Sequence, residues 1–328
     1  MGEIMIRVLN SLFSVCLAMA LSSAVLAQEF PRRAVTIIVP FAAGGGGDIL
    51  ARMAAPRLEL KWGVPVIVEN KPGAGGNIGA AAVARAAPDG YTLLLAGSPQ
   101  FAVNVTLFKT LPYDPIQDFI PLAMAAATPF VLVVNPNVPA KTVSEFIAYA
   151  KAQPVPLNYA TAGFGVPHHL YMELLKSMTG VNMTPVPYRG SAPALSDVVA
   201  GHIPAMFVDL GPGLGQMQAG GVRPLGGSMA LTLDALPDVP TINETLPGFD
   251  VASWQMYAAP TGTPREIVTK LNADLRSVLE QPQMKEQVSK SGMLPLESGS
   301  VDSLQRFMKA EIARWGEVVR KAGIEGSQ

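Results

Sequence analysis

The chain has 328 residues, of which 49% are apolar and 15% are charged, and its formal net charge is −1. This length suits about two globular domains, each with a sizeable core. The near balance of acidic and basic residues disfavours a nucleic-acid partner, because nucleic-acid binding depends on clustered Lys and Arg that neutralise phosphates.

The first predicted element is a signal peptide at residues 1–27. Arg7 precedes an apolar run, LFSVCLAMALSSAVLA, that ends at Ala27. This order is typical of a Sec signal peptide, and the run is short and too rich in polar residues for a membrane anchor. We therefore predict export to the periplasm with cleavage near Ala27. Cleavage removes Cys16, the one cysteine in the sequence, so the exported protein contains no disulfide.

Short β-branched runs alternate with amphipathic segments along the rest of the chain. The runs predict strands at residues 35–41, 64–69, 91–96, 130–134, 158–161, 183–187, 205–209 and 251–258. Helical patterns lie between them, for example at residues 47–60, 77–87, 166–180 and 191–201. Strands and helices in alternation predict an α/β architecture with mostly parallel sheets and helices on both faces.

Helix starts and apolar faces add detail to this pattern. Thr142–Glu145 and Thr263–Glu266 both fit a capping box, in which the first and fourth residues bond to each other's backbone. Two C-terminal helices follow, with apolar stripes within 267–279 and 304–319. Stripes at this spacing indicate faces that pack on the core.

Two proline-rich stretches, residues 113–130 and 235–254, divide the chain into thirds. If each stretch crosses once between lobes, the outer thirds form one lobe and the middle third forms the other. We predict lobe 1 from residues 28–125 plus 231–328, and lobe 2 from residues 126–230. Ligands of open α/β sheets bind beyond the carboxyl ends of the strands, which here would face a cleft between the lobes.

Three strand-to-helix turns in the first third are rich in glycine: FAAGGGGDIL, NKPGAGGNIG and AGSPQF. A helix N-terminus offers unpaired N–H groups, and glycine lets an anion approach them closely. The turns thus predict a cradle for a carboxylate or phosphate at one edge of one sheet. The alternative is that they are only tight turns, with Asp48, Asn77 and Ser98 as helix caps. Recurrence in three consecutive turns favours the cradle.

The motifs of nucleotide binding and of catalysis do not occur in the sequence. Gly73, Gly75 and Gly79 miss the dinucleotide spacing, and neither a P-loop nor G-x-S-x-G nor H-E-x-x-H is present. His168 and His169 adjoin each other before Glu173, but adjacent helix residues point in different directions. We predict no metal, no cofactor and no catalytic residue.

Five segments carry a resemblance to a known family: RAVTIIVPFAAGGGGDILAR, PVIVENKPGAGGNIGAAAVARAAPDGYTLLLAG, VPYRGSAPALSDVVAGHI, LPDVPTINETLPGFDVASW and GTPREIVTKLN. In this order, over essentially the whole mature chain, they resemble the substrate-binding proteins of tripartite tricarboxylate transporters, the Bug or TctC family. The resemblance implies a two-lobed, type II periplasmic-binding-protein fold. It also implies that the protein closes on a small carboxylate and delivers it unchanged to a two-component membrane transporter.

The resemblance also implies where the ligand binds. In lobe 1 it points to three loops: Phe41, Ala42, Ala43, Gly44, Gly45, Gly46 and Asp48; Gly75, Gly76 and Asn77; and Gly97 and Ser98. In lobe 2 it points to Thr161, Gly163, Phe164, Gly165, Val166, His169 and Asp209. Family members commonly carry Ser or Thr where this chain has Val166. Together with Phe164, this difference predicts a ligand with a less polar distal end.

The sequence leaves two possible roles open for several side chains. Asp209 either faces the ligand, where it pairs with an ammonium group or repels a second carboxylate, or caps the next turn. Arg189 either binds a second carboxylate or is solvated. Tyr188, Trp254 and Tyr257 either line the cleft or pack between the lobes.

Two other functions compete with transport. A sensory binding protein that hands its closed form to a receptor kinase would use the same contacts. An exported hydrolase or lyase would use Asp48, His169 or Asp209, yet no spaced catalytic set accompanies them. We expect a monomer that contacts its membrane partner transiently.

Overall fold

The computed structural model describes residues 30–328 and arranges eleven strands in two sheets. The predicted signal peptide and its cleavage site lie outside the described residues. The first sheet has the strand order β11-β4-β10-β3-β1-β2. Its strands are β1 Val35–Val39, β2 Val66–Asn70, β3 Thr92–Gly97, β4 Phe119–Thr128, β10 Ser253–Pro260 and β11 Leu294–Pro295.

The second sheet has the strand order β7-β6-β8-β5-β9. Its strands are β5 Phe130–Val134, β6 Leu157–Thr161, β7 Met183–Pro187, β8 Ala205–Asp209 and β9 Arg223–Gly227. Each sheet with its helices forms one lobe, and lobe 1 contains the first sheet.

Helices pack on both faces of the two sheets. They are α1 Gly46–Trp62, α2 Asn77–Ala84, α3 Asn104–Leu107, α4 Val143–Lys151, α5 Pro167–Thr179, α6 Ser191–Val199, α7 Leu210–Gln218, α8 Ile242–Thr245, α9 Arg265–Leu279, α10 Pro282–Lys290 and α11 Val301–Lys321. A 3-10 turn spans Ala74–Gly76, and a π-helical turn spans Pro99–Val103. Among the described residues, no helix is both long enough and apolar enough to cross a bilayer.

The chain passes between the sheets twice. It leaves the first sheet at Thr128 and enters the second at Phe130, so that Pro129 alone separates β4 from β5. It returns through residues 228–252 into β10. The two crossings are tied together, because Ser228 N–H donates to the carbonyl of Phe130 and Val251 N–H donates to that of Ser228.

Both sheets are mixed, with fewer parallel pairs than the sequence predicts. Strand β1 pairs in parallel with β2 and β3, whereas β10 runs antiparallel to both β3 and β4. The crossings explain the antiparallel pairing of β4 and β10. Because β4 carries the chain out of lobe 1 and β10 carries it back, the two strands run in opposite directions. Strand β5, which continues from β4, is likewise antiparallel to β8 and β9.

Strand β4 corrects the prediction that residues 113–130 form only a proline-rich divider. The strand is ten residues long and almost entirely buried, yet it is rich in alanine and contains Pro121, which hid it in the sequence. Its register against β10 shifts between Tyr257 and Ala258, next to Pro121. A bulge of this kind is where a sheet tolerates a residue that lacks an N–H group.

The C-terminal helices pack on the core as predicted. Leu304, Met308, Trp315 and Val319 of α11 are buried. Trp315 stacks on Tyr171 of α5 with ring centroids 5.9 Å apart, so α11 touches lobe 2 as well as lobe 1. Helix α10 and strands β9 and β11 were not predicted.

Neither of the two predicted capping boxes is complete. Thr142 Oγ1 accepts from the N–H of Glu145 at 3.1 Å, as predicted for the start of α4, but the Glu145 carboxylate accepts from the N–H of Lys141 instead of that of Thr142. Thr263 instead donates its hydroxyl to the carbonyl of Pro260 at 2.7 Å, and α9 begins only at Arg265. Because its hydroxyl is used by the preceding turn, Thr263 does not cap the helix.

Candidate functional site

The three glycine-rich loops lie at one edge of the first sheet. They follow β1, β2 and β3, which are parallel neighbours in the order β3-β1-β2. Parallel neighbours end at the same edge, so the loops that follow them converge. The structure therefore brings together the three segments that the sequence singled out.

The first loop does not need all of its glycines for its backbone. Gly44 has a φ of +85°, which favours glycine. Gly45 has φ −79° and ψ 166°, an extended conformation that any residue adopts. A Cβ built on Gly45 would meet nothing closer than the carbonyl oxygen of Ala42 at 3.6 Å. The glycine at position 45 is thus explained neither by strain nor by crowding within the protein.

Helix α1 begins at this loop with unpaired backbone donors. In the part of the chain that the structure describes, no group accepts from the N–H groups of Gly46, Gly47 and Asp48. Ala42 to Gly45 are exposed. Free N–H groups at a helix N-terminus attract anions, and an exposed, side-chain-free loop leaves them accessible.

Asp48 holds the first loop in place. Its Oδ2 accepts from the N–H of Gly44 at 2.9 Å, and its Oδ1 accepts from Arg52 Nε at 2.9 Å. Burial alone would raise the pKa of this carboxyl, but the bonds from Arg52 and Gly44 outweigh it and lower the pKa. Asp48 is 4% exposed, so its carboxylate supports the loop from below.

Two polar side chains that the sequence did not single out lie beside the start of α1. A Cβ built on Gly46 would lie 3.3 Å from Nε2 of Gln255 and 3.8 Å from Oγ1 of Thr128. Thr128 ends β4 and Gln255 lies within β10. Their position depends on how the two crossing strands pair, and β4 was not predicted.

A buried polar network supports the second and third loops. Gln100 accepts from the N–H of Gly97 and donates to the carbonyl of Gly75 at 2.6 Å. Asn77 Oδ1 accepts from Asn104 Nδ2 at 2.6 Å and from the hydroxyl of Tyr113 at 3.0 Å.

The structure also tests the alternative that these loops are only tight turns with Asn77 and Ser98 as helix caps. Asn77 does not cap α2, whose N-cap is Gly76, and Ser98 makes no side-chain cap bond. Phe41 is half-buried, and its carbonyl accepts from Asn70 Nδ2 at 3.0 Å.

The loop at residues 161–166 of lobe 2 faces lobe 1. A side chain at Gly165 would overlap Leu107 of α3. Within the loop, Thr161 donates its hydroxyl to the carbonyl of Gly163 at 2.7 Å. Phe164 is 43% exposed, and Val166 is the N-cap of α5 without a side-chain bond. The exposed surface of this loop is thus largely apolar.

His169 lies beneath that loop, 4% exposed. Its Nδ1 accepts from the N–H of Gly165 at 3.3 Å, and its ring stacks on Tyr159. Burial lowers its pKa to about 4, although nearby Glu173 acts in the opposite direction. His169 is therefore neutral at pH 7 and positions the loop.

Asp209 joins a polar cluster at the end of β8. Its Oδ2 lies 2.9 Å from His168 Nε2 and accepts from the hydroxyl of Ser191 at 2.7 Å. Burial would raise the pKa of Asp209, but the bonds and charge of His168 and the Ser191 hydroxyl lower it overall. Asp209 does not cap α7 with its side chain, so that reading is wrong.

This cluster does not have the geometry of a hydrolase triad. Ser191 Oγ lies 3.1 Å from His168 Nε2, the same ring nitrogen that contacts Asp209. In a triad the acid and the nucleophile contact different ring nitrogens. Within residues 30–328, no three His, Cys, Asp or Glu side chains converge as a metal site would require.

Of the remaining candidates, Tyr188 and Arg189 adjoin the loop of lobe 2, because Tyr188 N–H donates to the carbonyl of Thr161 at 2.8 Å. Arg189 is exposed before α6, and Tyr188 donates its hydroxyl to Asp197. Trp254 and Tyr257 are 4% and 0% exposed. The two residues on β10 therefore pack inside the protein.

The sequence matches one family over most of its length. The TctC model, described as the tripartite tricarboxylate transporter family receptor, matches residues 50–324. The chain belongs to this family. Its members are periplasmic substrate-binding proteins.

Relatives of known sequence cover nearly the whole chain. A UPF0065 protein in the tcbD-tcbE intergenic region of Pseudomonas sp. strain P51 is 35% identical over 97% of this chain and 95% of its own length. BugT of Bordetella pertussis is 34% identical over 93% of this chain and 94% of its own length.

Solved structures are similar throughout the fold. R. palustris Rpa4515 with adipate has a TM-score of 0.84 at 39% identity, covering 90% of this chain and 99% of that chain. MatC from Rhodopseudomonas palustris with bound malate has a TM-score of 0.80 at 36% identity, covering 88% and 100%. The periplasmic binding protein BugD has a TM-score of 0.81 at 34% identity, covering 90% and 99%. The two-lobed periplasmic-binding-protein fold is thereby confirmed.

Proposed function

We propose that this TctC-family receptor captures a small organic carboxylate in the periplasm and delivers it, chemically unchanged, to a tripartite membrane transporter. The observation that carries the proposal is the first loop. Helix α1 starts with free N–H groups, and Gly45 is a glycine that the backbone does not require. An open approach to unpaired donors is what a carboxylate needs.

The solved relatives support a carboxylate as the ligand. One holds adipate and another malate, and both share more than a third of their residues with this chain. We propose that the ligand's carboxylate lies on the loop at Phe41–Gly46, flanked by Gly75–Asn77 and Gly97–Ser98. Closure around a bound ligand lets the transporter distinguish loaded from empty protein.

We propose that lobe 2 selects among carboxylates at the ligand's distal end. Phe164 and Val166 supply apolar surface, and Asp209 supplies a negative charge. This combination favours a monocarboxylate with an apolar or aromatic tail over a tricarboxylate such as citrate.

Three further features complete the proposal. The signal peptide is cleaved near Ala27, and the exported protein is a monomer. Lobe 1 comprises residues 28–125 plus 231–328, and lobe 2 comprises residues 126–230. The crossings at Pro129 and residues 228–252 support two lobes, although strand β4 carries the first sheet to Thr128, three residues past the proposed boundary at 125.

Native mass spectrometry of the purified protein, followed by thermal unfolding with mono-, di- and tricarboxylates, tests the proposal. A ligand that binds the folded state raises the unfolding midpoint in a dose-dependent way. A protein that no carboxylate stabilises would contradict it. Conversion of a bound acid into another compound would contradict the view that the ligand is delivered unchanged.

Gly45→Val is the matching variant test. The extended backbone accepts valine, so we expect normal folding and at least tenfold weaker carboxylate binding. Gly215→Val is the control, because Gly215 has no atom within 4 Å of its would-be Cβ and lies in α7. Equal binding by Gly45→Val and the parent protein would remove the first loop from the site.

A further inference from the structure

Thr128 and Gln255 are two polar residues beside the start of α1 for which the three glycine-rich loops suggest no role. They lie on β4 and β10, the two strands that carry the chain between the lobes. In the pairing of these strands, Gln255 is opposite Ala126, and Thr128 is opposite Ser253. Both side chains therefore lie on the same face of the first sheet, close to Pro129, where the chain passes between the lobes.

Each of these side chains contains a buried polar atom without a hydrogen-bond partner. Thr128 is 8% exposed, and its Oγ1 has no partner; the same holds for Oε1 of Gln255. Most buried polar atoms in folded proteins are paired, because an unpaired one loses its bonds to water without replacement. The Thr128 hydroxyl is free to donate to a ligand, and the Gln255 amide, which lacks a protein partner, is free to turn its NH₂ group toward one.

Thr128 Oγ1 and the other end of the Gln255 amide, Nε2, lie near the free end of helix α1. A Cβ on Gly46 would lie 3.3 Å from Gln255 Nε2 and 3.8 Å from Thr128 Oγ1. The N–H groups of Gly46 and Gly47 have no acceptor within the described chain. Backbone donors, a hydroxyl and an amide NH₂ thus converge beside Gly46, where Sδ of Met293 also lies 3.7 Å from the would-be Cβ.

We propose that Thr128 and Gln255 are ligand-binding residues that hydrogen-bond the carboxylate held at the start of α1. This inference rests on the proposed function. The Thr128 hydroxyl donates to one carboxylate oxygen. No protein partner fixes the Gln255 amide, so the ligand sets its orientation, and a carboxylate selects the one in which Nε2–H donates to it.

The two residues also connect the ligand to the hinge. Thr128 immediately precedes Pro129, the residue between the two sheets. A carboxylate bonded to both strands and to α1 fixes β4, β10 and the first loop relative to one another.

The test uses side chains of nearly the same size without the polar groups. Thr128→Val and Gln255→Met are compared with the parent protein by calorimetry, using whichever of succinate, L-malate, adipate and benzoate binds the parent most tightly. We expect each variant to bind at least tenfold more weakly. The midpoint of thermal unfolding without ligand should stay the same or rise, because neither variant loses a bond within the protein.

Two kinds of control accompany these variants. Thr269→Val on α9 and Gln117→Met are substitutions of the same type at exposed positions, and they should leave affinity unchanged. Thr128→Ser retains the hydroxyl and should bind nearly as well as the parent. Gln255→Glu places a negative charge beside the carboxylate and should abolish binding.

The outcomes separate the inference from the proposed function. Parent-like affinity in Thr128→Val and Gln255→Met would overturn the inference and leave carboxylate capture intact. An equal loss of stability with and without ligand, with affinity unchanged, would assign these residues a structural role instead. If none of the acids binds the parent protein, the inference fails together with the proposed function.

Discussion

Gly165 of lobe 2 lies against Leu107 of lobe 1, so closely that any side chain at position 165 would overlap Leu107 Cδ2. Gly165 also has a φ of +74° and donates its N–H to His169. The loop that we propose for ligand selection thus contacts lobe 1 at Gly165, where the space beside the backbone is too small for any side chain.

Gly165→Ala should hold the lobes apart and weaken ligand binding at least tenfold. Alanine at a positive φ also costs about 1 kcal/mol in stability, so the control must share that strain. Gly180→Ala meets this need, because Gly180 has a φ of +71° and open space around its would-be Cβ. Calorimetry and small-angle scattering, with and without ligand, measure affinity and closure.

The double variant Leu107→Ala with Gly165→Ala separates overlap from strain. Shortening Leu107 removes the obstruction, so affinity should return most of the way to that of Leu107→Ala alone. A double variant as weak as Gly165→Ala would show that backbone strain causes the defect.

Stability should depend on pH through His169. Its pKa of about 4 in the folded protein lies below the ordinary 6.5, because burial disfavours the charged ring. The unfolded chain therefore binds the proton more readily between these values. The free energy of unfolding should be at its full value above about pH 6.5 and should fall as pH drops toward 4. Urea unfolding of the parent and His169→Asn at pH 7 and pH 5 should show a smaller decrease in the variant.

Asp48→Asn should destabilise the protein by about 1–2 kcal/mol at pH 7, since a neutral amide replaces charged hydrogen bonds to Gly44 and Arg52. The lowered pKa of Asp48 means that its contribution is present above the ordinary value of 3.8 and is lost as pH falls through the folded value. Chemical unfolding between pH 3 and pH 7 should therefore show a shallower acid decline in the variant. Glu286→Gln, at an exposed ion pair that solvent screens, should leave stability nearly unchanged.

Glu311→Gln should cost about 1–3 kcal/mol, because the buried carboxylate accepts from two indoles. Its Oε2 lies 2.7 Å from Trp254 Nε1 and 3.0 Å from Trp315 Nε1. The amide oxygen of Gln still accepts from both indoles, but without the charge that strengthens these bonds. Its NH₂ group replaces Oε1, which accepts from Arg314 Nη1 at 3.3 Å, and cannot accept that bond. Thermal unfolding measures the loss, and Glu317→Gln on the exposed face of the same helix is the control. Equal midpoints for the two variants would contradict a structural role for Glu311.

Asp209→Asn should shift ligand preference toward acids with a second carboxylate. The lowered pKa keeps Asp209 ionised at neutral pH, so it repels a nearby negative charge. The affinity of succinate relative to that of benzoate should rise severalfold in the variant. Asp238→Asn, at an exposed position, should leave the ratio unchanged. An unaltered ratio in both would place Asp209 away from the ligand's distal end.

Much of the fold could be predicted because local patterns specify it. The strands at residues 130–134, 183–187 and 205–209 have the predicted bounds, and the α11 stripe is buried as predicted. Strand β4 escaped prediction because alanines and Pro121 give it neither β-branched character nor alternation. Its stability comes from burial between β10 and β11, which is a property of the assembled sheet.

The sequence by itself determined the three glycine-rich turns and the family, because each turn and each family motif consists of residues close together in the chain. Only the tertiary structure decided which glycines the backbone requires, and that Asp48, Asn77 and His169 support loops from beneath. It alone placed Thr128 and Gln255, 127 positions apart in the chain, beside the start of α1. Contacts between distant segments depend on how strands pair and lobes meet, and no local pattern in the chain encodes them.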